Sequence, residues 1–511
     1  MTRRFSQNLI GFWLRRTASF VVPLIALGLN AGCAPFQGDQ ADSSTNSSPS
    51  VYRLPWLDAS GNYTLQDIKL STFSEPGSLR GRVAEIIVVP RTVGTSVGGE
   101  DPIGRWIEIS SGGVRKKIPA DLVTMQAATL YAHLEKLNDI DTEAGLSSVL
   151  PGRMRVGLLA RIAMTGAPDS LILNNAVYDG RLDALFVVPY TPESGLAIAM
   201  NAGIIGHEHF HRIFQSVVMS QIREAARIGS IPYGWDDSIA CASGVAAAQP
   251  DSVRESLPEM LPEIPPQEGK PNPFPEVNPM ALVAAETMVP LKIYNQASLR
   301  GLNEGLADFW GWAYSQDDSF VARTLGANED EARRLDRTVS ALPHKATLRQ
   351  NLIGVNRAGF PVLKSEGGRV AAAYRFGTEY ARVLRSLVHA IETATGADRA
   401  TAASRVRKAM ALGLQGISEE VVRVWGREEI EPERLLRPVV AKLLTLSADG
   451  PAVLDTAGSV AVCRELNRLR ASSTLTGGLC GDVGAASVST ITTSSSGKLL
   501  PVDGLGRAKQ Q

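Results

Sequence analysis

The chain has 511 residues, 44% hydrophobic and 20% charged, which is enough for a globular body of two or three domains. Lysine plus arginine number 52, and so do aspartate plus glutamate. That balance gives no basic field for nucleic acid or for an anionic membrane surface, so no nucleic-acid partner is expected.

At the N-terminus, Arg3, Arg4, Arg15 and Arg16 precede an apolar run from Phe20 to Leu29, which ends in Asn30-Ala31-Gly32-Cys33. Basic, then apolar, then small is the order of a secretory signal, and the run is short for a membrane span. Small residues followed by Cys resemble a bacterial lipobox, with Asn30 where Leu is usual and Leu29 one place earlier. The expectation is a lipoprotein-type signal over residues 1–33 and a lipid on Cys33. Ordinary signal cleavage nearby, giving a secreted protein, is the other reading. Residues 34–50 are rich in Ser, Asn, Asp and Thr and read as a flexible tether. The chain is thus expected in the bacterial cell envelope, with the membrane as a partner through its anchor.

Residues 51–150 read as a β-rich region with one helix. Val83–Pro90 and Arg105–Ile109 are strand candidates between Gly-rich turns. Residues 120–140 repeat apolar positions near a period of 3.6, and His133 on that helix reads as packed rather than ligating. Residues 151–215 read as strands followed by a helix. Asn174-Asn175-Ala176-Val177-Tyr178 and Leu182–Pro189 suit a hairpin turning near Asp179-Gly180.

The next helix carries His207-Glu208-His209-Phe210-His211, the pattern H-E-x-x-H, after the apolar run Ala202–Gly206. Residues four apart share a helix face, so His207 and His211 can offer two imidazoles to one metal ion. Glu208 stands beside them, placed to take a proton from a water activated by that metal. The same five residues also suit a charged surface helix. Against that stands the concentration of three of the chain's six histidines in five positions, behind a run that enters a core. His209 remains open as a further ligand.

A Pro- and acid-rich stretch comes next. Roughly 225–295 reads as an insertion, since Pro at the density of residues 257–266 excludes regular helix and central strand. Then comes Gly301-Leu302-Asn303-Glu304-Gly305-Leu306-Ala307-Asp308, with two acids four apart in an apolar helix. A Glu can be the third ligand of a catalytic zinc, and an Asp one turn on can hold the far nitrogen of a ligating His. Further helices are expected over 322–340, 368–395, 397–412, 418–425 and 432–446. His344 lies in a polar connection and reads as exposed. His389 lies in an apolar run and reads as structural. Cys463 and Cys480 stand 17 apart in a Gly- and Ser-rich tail and suit a disulfide in an oxidising compartment, leaving Cys241 over. Residues 482–511 read as a frayed end.

The two motifs together resemble the gluzincin metallopeptidases, the thermolysin-like clan, whose signature is H-E-x-x-H followed by N-E-x-x-x-D on a second helix. The resemblance covers about 165–395. It implies an α+β zincin-like fold with a β-rich N-terminal lobe, a helical C-terminal lobe and an active-site cleft between them. It implies one catalytic zinc ion on His207, His211 and Glu304, with Glu208 as general base and Asp308 behind a ligating His. It also implies that Asn175 and Ala176 lie on a strand that pairs with the backbone of a peptide or protein substrate. The later helix of the clan often opens with His-x-x-Gly, where the His donates to the oxyanion. Tyr374 stands in that place here, in Tyr374-Arg375-Phe376-Gly377, and its hydroxyl is also a donor. The connection from His211 to Glu304 is longer than in many relatives. The catalytic domain is then expected over 151–425 and a helical region with the tail over 426–511. The function implied is an exported zinc endopeptidase. The alternative is a catalytically degenerate relative that serves as a surface binding module.

Overall fold

The computed structural model describes residues 50–481 apart from 59–60, 94–95, 101–102, 165–166, 172, 192–194, 232–288, 326–332, 356–359, 446–452, 473–474 and 476–479. Cys33, the signal and tether before Ser50, Cys241, most of the Pro-rich stretch and the tail after 481 lie outside the described residues. The architecture is mixed α+β, β-rich in its first part and helical in the rest.

The chain begins with β1 (Ser50–Leu57), β2 (Tyr63–Leu70), β3 (Ala84–Val93), β4 (Ser96–Glu100), β5 (Trp106–Ser111) and β6 (Val114–Pro119), then helix α1 (Leu122–Glu143). Next come β7 (Met154–Leu158), β8 (Ala163–Met164), β9 (Ala167–Leu171), β10 (Ala176–Asp179) and β11 (Ala184–Val187). One sheet has the order β2-β1-β6-β5. Period-two patterning sets its buried face: Tyr52 and Leu54 are fully buried while Arg53 between them is exposed. The Tyr52 ring meets Phe73 and Trp106, and Phe73 stacks on Tyr131 of α1.

The second sheet has the order β10-β11-β7-β3-β4. Its middle strands β11, β7 and β3 run parallel, and both edges, β10 and β4, are antiparallel to their neighbours. The middle strands read as continuous apolar runs, such as Ala184-Leu185-Phe186-Val187, all buried, because both faces are covered. This sheet crosses the expected boundary at residue 150. β3 from the earlier segment bonds β7 from the later one, from Ala84 opposite Met154 to Val88 opposite Leu158. Residues 51–150 therefore share one core with the strands and helices beyond residue 150.

The helical part opens with α2 (Ala202–Phe214), which runs through a π-helical turn at Gln215–Met219 into α3 (Ser220–Arg227). After the undescribed stretch come α4 (Leu291–Ser315), α5 (Lys345–Leu352), α6 (Glu366–Thr395), α7 (Arg399–Val424), α8 (Pro432–Leu444) and α9 (Thr456–Arg468). The expected insertion is thus shorter at both ends, since helix continues to Arg227 and resumes at Leu291 behind Pro290.

Three other expectations change. Residues 322–340 are not one helix. A single turn at Ala322–Leu325 is helical, while Arg334–His344 is turns and extended chain, where Thr338, Val339 and Pro343 resist helix. Residues 397–412 and 418–425 are one helix, because Gly413 does not end it. A Cβ there would lie 2.9 Å from the backbone of Val439, so this glycine serves the close crossing of α8. That crossing also joins the two sides of the expected boundary at 425. The segment read as a Gly- and Ser-rich tail contains α9, capped by Asp455, which accepts from the Gly458 N–H.

Two close helix crossings position the site. A Cβ on Gly311 of α4 would lie 2.3 Å from the Gly203 carbonyl oxygen of α2, and one on Gly305 would lie 2.1 Å from the Gly377 oxygen of α6. α4 therefore lies backbone to backbone against both neighbours and carries its acids between them. Among the described residues no helix is long and apolar enough to cross a membrane.

Candidate metal centre

α2 starts where Asn201 caps it. The Asn201 side-chain oxygen accepts from the N–H groups of Gly203 and Ile204, and its amide donates to Phe320 O and Thr324 Oγ1. Such a cap contributes about 1 kcal/mol. Every residue of the helix is buried, and Phe210 packs on Trp310 of α4 with centroids 5.4 Å apart. At its other end buried Arg212 donates to Asp183 at 3.0 Å and to the carbonyls of Pro151 and Gly152. The helix is thereby tied to the strands before it.

Four residues apart on one face of this helix, His207 and His211 bring their Nε2 atoms to 3.1 Å. Glu304 Oε2 of α4 lies 3.4 Å from the first and 3.6 Å from the second. The far nitrogens are engaged elsewhere. His207 Nδ1 is 2.9 Å from Asp308 Oδ1, and His211 Nδ1 is 3.1 Å from the Asn303 side-chain oxygen. With an N–H on each Nδ1, both Nε2 atoms turn lone pairs toward each other and toward a carboxylate oxygen. Three electron-pair donors facing one point repel unless a metal cation or a proton sits among them. Glu304 Oε2 is buried and has no hydrogen-bond partner in the structure. Donor atoms about 3.3–3.4 Å apart are what a tetrahedral ion with bonds of about 2.0–2.1 Å requires. The buried group of His207, Glu208 and His211, whose ligand atoms lie within 4.8 Å of one another, could hold a metal ion. Glu304 Oε2 lies within 3.6 Å of both Nε2 atoms, while Glu208 has an oxygen committed elsewhere.

That commitment is to the sheet edge. Glu208 Oε2 accepts from the Tyr178 backbone N–H of β10 at 2.9 Å. Alternate residues of an edge strand turn their N–H and C=O groups to the same side, so Ala176 faces the same way as Tyr178. Ala176 pairs with Val187 of β11, and its N–H donates to the Asn175 side-chain oxygen at 2.9 Å. The Asn175 carbonyl accepts from the Val188 N–H. Ala176 thus turns its N–H to the outer edge of the sheet, the side on which Tyr178 meets Glu208, while the Asn175 carbonyl faces β11. Burial pushes the Glu208 carboxyl above the usual carboxylate range, against the pull of the two imidazoles.

No protein-family model, curated protein or solved structure matches the chain.

Behind His207 stands a residue that the sequence pattern did not reveal. Arg333 is hydrogen-bonded to both oxygens of Asp308, and its Nη2 lies 3.4 Å from His207 Nδ1. Its guanidinium also lies over the ring of Tyr374, 5.7 Å from the centroid. The structure thus brings Tyr374 into the same cluster. Burial raises the Tyr374 hydroxyl well above its ordinary pKa, helped by the charges of Glu304 and Glu208, so it remains a protonated donor. Asn303 lies within the second motif with no role expected of it, and it holds His211.

The other histidines are elsewhere. His209 turns to the opposite face of α2, where its Nε2 lies 2.7 Å from Asp141 Oδ2 of α1, so it is not a ligand of this site. His133 is buried, stacks on Trp56 and lies 2.8 Å from the Tyr314 hydroxyl, and burial lowers its pKa to about 3. His344 is exposed and caps α5 by accepting from the Ala346 N–H. His389 differs from expectation. Its side chain is 78% exposed on α6, because the apolar positions around it face the other way and leave it beside Glu392. The structure joins Cys463 to Cys480 in a disulfide, with Cα atoms 5.6 Å apart, which fastens the chain after α9 back onto it.

Proposed function

We propose that this chain is an exported zinc metallopeptidase of the gluzincin kind, cutting peptide bonds within proteins and anchored to the bacterial envelope by a lipid on Cys33. The observation that carries the reading is the convergence of His207 Nε2, His211 Nε2 and the orphaned Glu304 Oε2 at 3.1–3.6 Å, with Glu208 beside them. A zinc ion held by those three residues would keep a fourth position open, polarise a carbonyl there and lower the pKa of water.

The chain's own residues supply the rest. Glu208 takes the proton of the attacking water and passes it to the leaving amine, a task suited to a carboxylate whose pKa burial has raised. The Tyr374 hydroxyl donates to the carbonyl oxygen as it gains charge. Asp308 and Asn303 fix the tautomers of the two imidazoles. The outer edge of β10, with Asn175 and Ala176, lays an extended peptide beside Glu208 by strand addition. Support for a zincin-like arrangement is the order of parts: a sheet with an antiparallel edge strand, the helix with two histidines, and a second helix bringing Glu304 and Asp308.

One observation favours the alternative of a degenerate relative acting as a surface binding module: Glu208 is already hydrogen-bonded to Tyr178. Against it, a structural zinc takes four protein ligands, and His209, the nearest further histidine, faces Asp141. Hydrolysis of an unfolded protein by the mature chain and by Glu208→Gln, each with and without a chelator, separates the two. The expected result is cutting that the chelator abolishes and that the substitution slows by about 10²–10⁴-fold. A wild-type chain that carries one zinc and leaves the substrate intact would replace this reading with the binding module.

A further inference from the structure

Arg300 lies on α4 one turn before Glu304 and two turns before Asp308, so the three side chains share a helix face. Side chains so spaced have Cβ atoms about 5–6 Å apart. Arg300 is half-buried, yet no carboxylate among the described residues pairs with it. The other guanidinium at the site, Arg333, is committed to Asp308. Next to Arg300 along the chain, Gly301 touches the Ala373 carbonyl, where a Cβ would lie 2.9 Å away, so Arg300 borders the turn of α6 that carries Tyr374. The charge of Arg300 reaches the Tyr374 hydroxyl and pulls against the carboxylates that raise its pKa.

The charge balance of the described residues gives this guanidinium a use. Glu208, Glu304 and Asp308 are opposed by Arg300 and Arg333, so a divalent cation on the histidines leaves the cluster net positive. A half-buried arginine with no carboxylate partner among the described residues, beside such a cluster, is suited to receive an anion from outside. Its planar fork matches a carboxylate in bidentate geometry.

We propose that Arg300 recognises a carboxylate of the substrate, and that the preferred substrates are peptides bearing a free carboxylate within about two residues of the scissile bond. The inference rests on the peptidase reading for its setting and deepens it by naming a substrate class. The carboxylate can be an acidic side chain or the C-terminus, and both present the same planar group to Arg300.

The test uses two pairs of fluorescently labelled octapeptides. One pair differs only in a C-terminal carboxylate against an amide, the other in Glu against Gln beside the intended scissile bond. Binding is read by anisotropy on the zinc-loaded full chain carrying Glu208→Gln, alone and combined with Arg300→Gln or Arg300→Lys. Hydrolysis of the same peptides by the wild type is read in parallel. The expected result is about tenfold tighter binding of the carboxylate member in at least one pair, as a charge-assisted contact gives. Arg300→Gln should bring that ratio to about one, and Arg300→Lys should restore part of it, because lysine keeps the charge without the fork. The pair that shows the preference identifies the source of the carboxylate. The proposal is overturned if neither pair differs, if nothing binds, or if the preference survives Arg300→Gln. Failure of the wild type to cut any peptide would remove the peptidase reading, while the binding ratios would still decide the role of Arg300.

Discussion

The two faces of α2 treat their histidines differently. On one face His207 and His211 meet Glu304, with Asp308 and Asn303 behind them. On the other, His209 meets Asp141 of α1 at 2.7 Å, and both side chains are almost fully buried. Each face also leaves a buried polar atom unsatisfied, Glu304 Oε2 on the first, Asp141 Oδ1 and His209 Nδ1 on the second. The difference lies in convergence. On the first face the unsatisfied oxygen points where two imidazole nitrogens also point. On the second, no further His, Cys, Asp or Glu among the described residues joins the pair to make a metal group. Density of histidine in a sequence therefore does not define a metal centre. What defines it is whether the far nitrogens are already held, so that the near ones are turned as acceptors toward one point.

The sharpest way to break that comparison is to remove the residue behind each face in turn. Asp308→Ala leaves half-buried Arg333 without its carboxylate and His207 Nδ1 without its acceptor. Stability of the metal-free chain should fall by about 3–5 kcal/mol in urea unfolding, and zinc affinity should fall by about 10–100-fold in competition with a chromophoric chelator. Unchanged zinc affinity would mean that Asp308 does not orient a ligand. Asp141→Ala is the mirror experiment. It should cost about 1–3 kcal/mol, the penalty for a buried imidazole that has lost its partner, while the chain still binds one zinc per molecule with affinity within about threefold of wild type. Loss of the metal in Asp141→Ala would show that the two faces are one functional unit.

The same contrast explains what the sequence made legible. Spacings of four on helices are local, so His207, His211, Glu304 and Asp308 can be paired into faces without any knowledge of the fold. The strands β3, β10 and β11 are visible from apolar runs and turns. Arg333 is not visible, since nothing local distinguishes it from neighbouring Arg334, which pairs with Asp336 at the surface. The Tyr178 backbone N–H carries no side-chain signature at all. Asp141 and His209 are 68 residues apart and meet only because α1 crosses α2. The strand pairing across residue 150 was hidden for a related reason: β3 finds its partner β7 beyond α1, and a parallel pair leaves no local turn to read. The helix over Arg399–Val424 was expected as two, and Gly413 within it serves the close crossing of α8, a tertiary contact with no local signature.

A smaller effect, in pH, tests which face responds to protons. Burial alone would lower the pKa of His207, but its hydrogen bond to Asp308 and the facing carboxylate of Glu304 outweigh this and push it up to about 9 in the metal-free chain. A pKa raised on folding stabilises the fold in full below the ordinary value of 6.5, and that contribution is lost as pH rises from there through about 9. Metal-free stability should therefore decline across that window. Zinc binding needs a neutral imidazole, so the ion must displace this proton, and affinity should rise over the same window by up to about tenfold per pH unit before levelling. Chelator competition at intervals from about pH 6 to 9.5 reads the slope directly. A flat profile would mean that His207 is already neutral without the metal and that Asp308 and Glu304 do not hold a proton on it. Asp308→Ala should move the rise to lower pH by removing the hydrogen bond that Asp308 makes to His207. Asp141→Ala should leave the slope in place, because its carboxylate belongs to the opposite face and pairs there with His209.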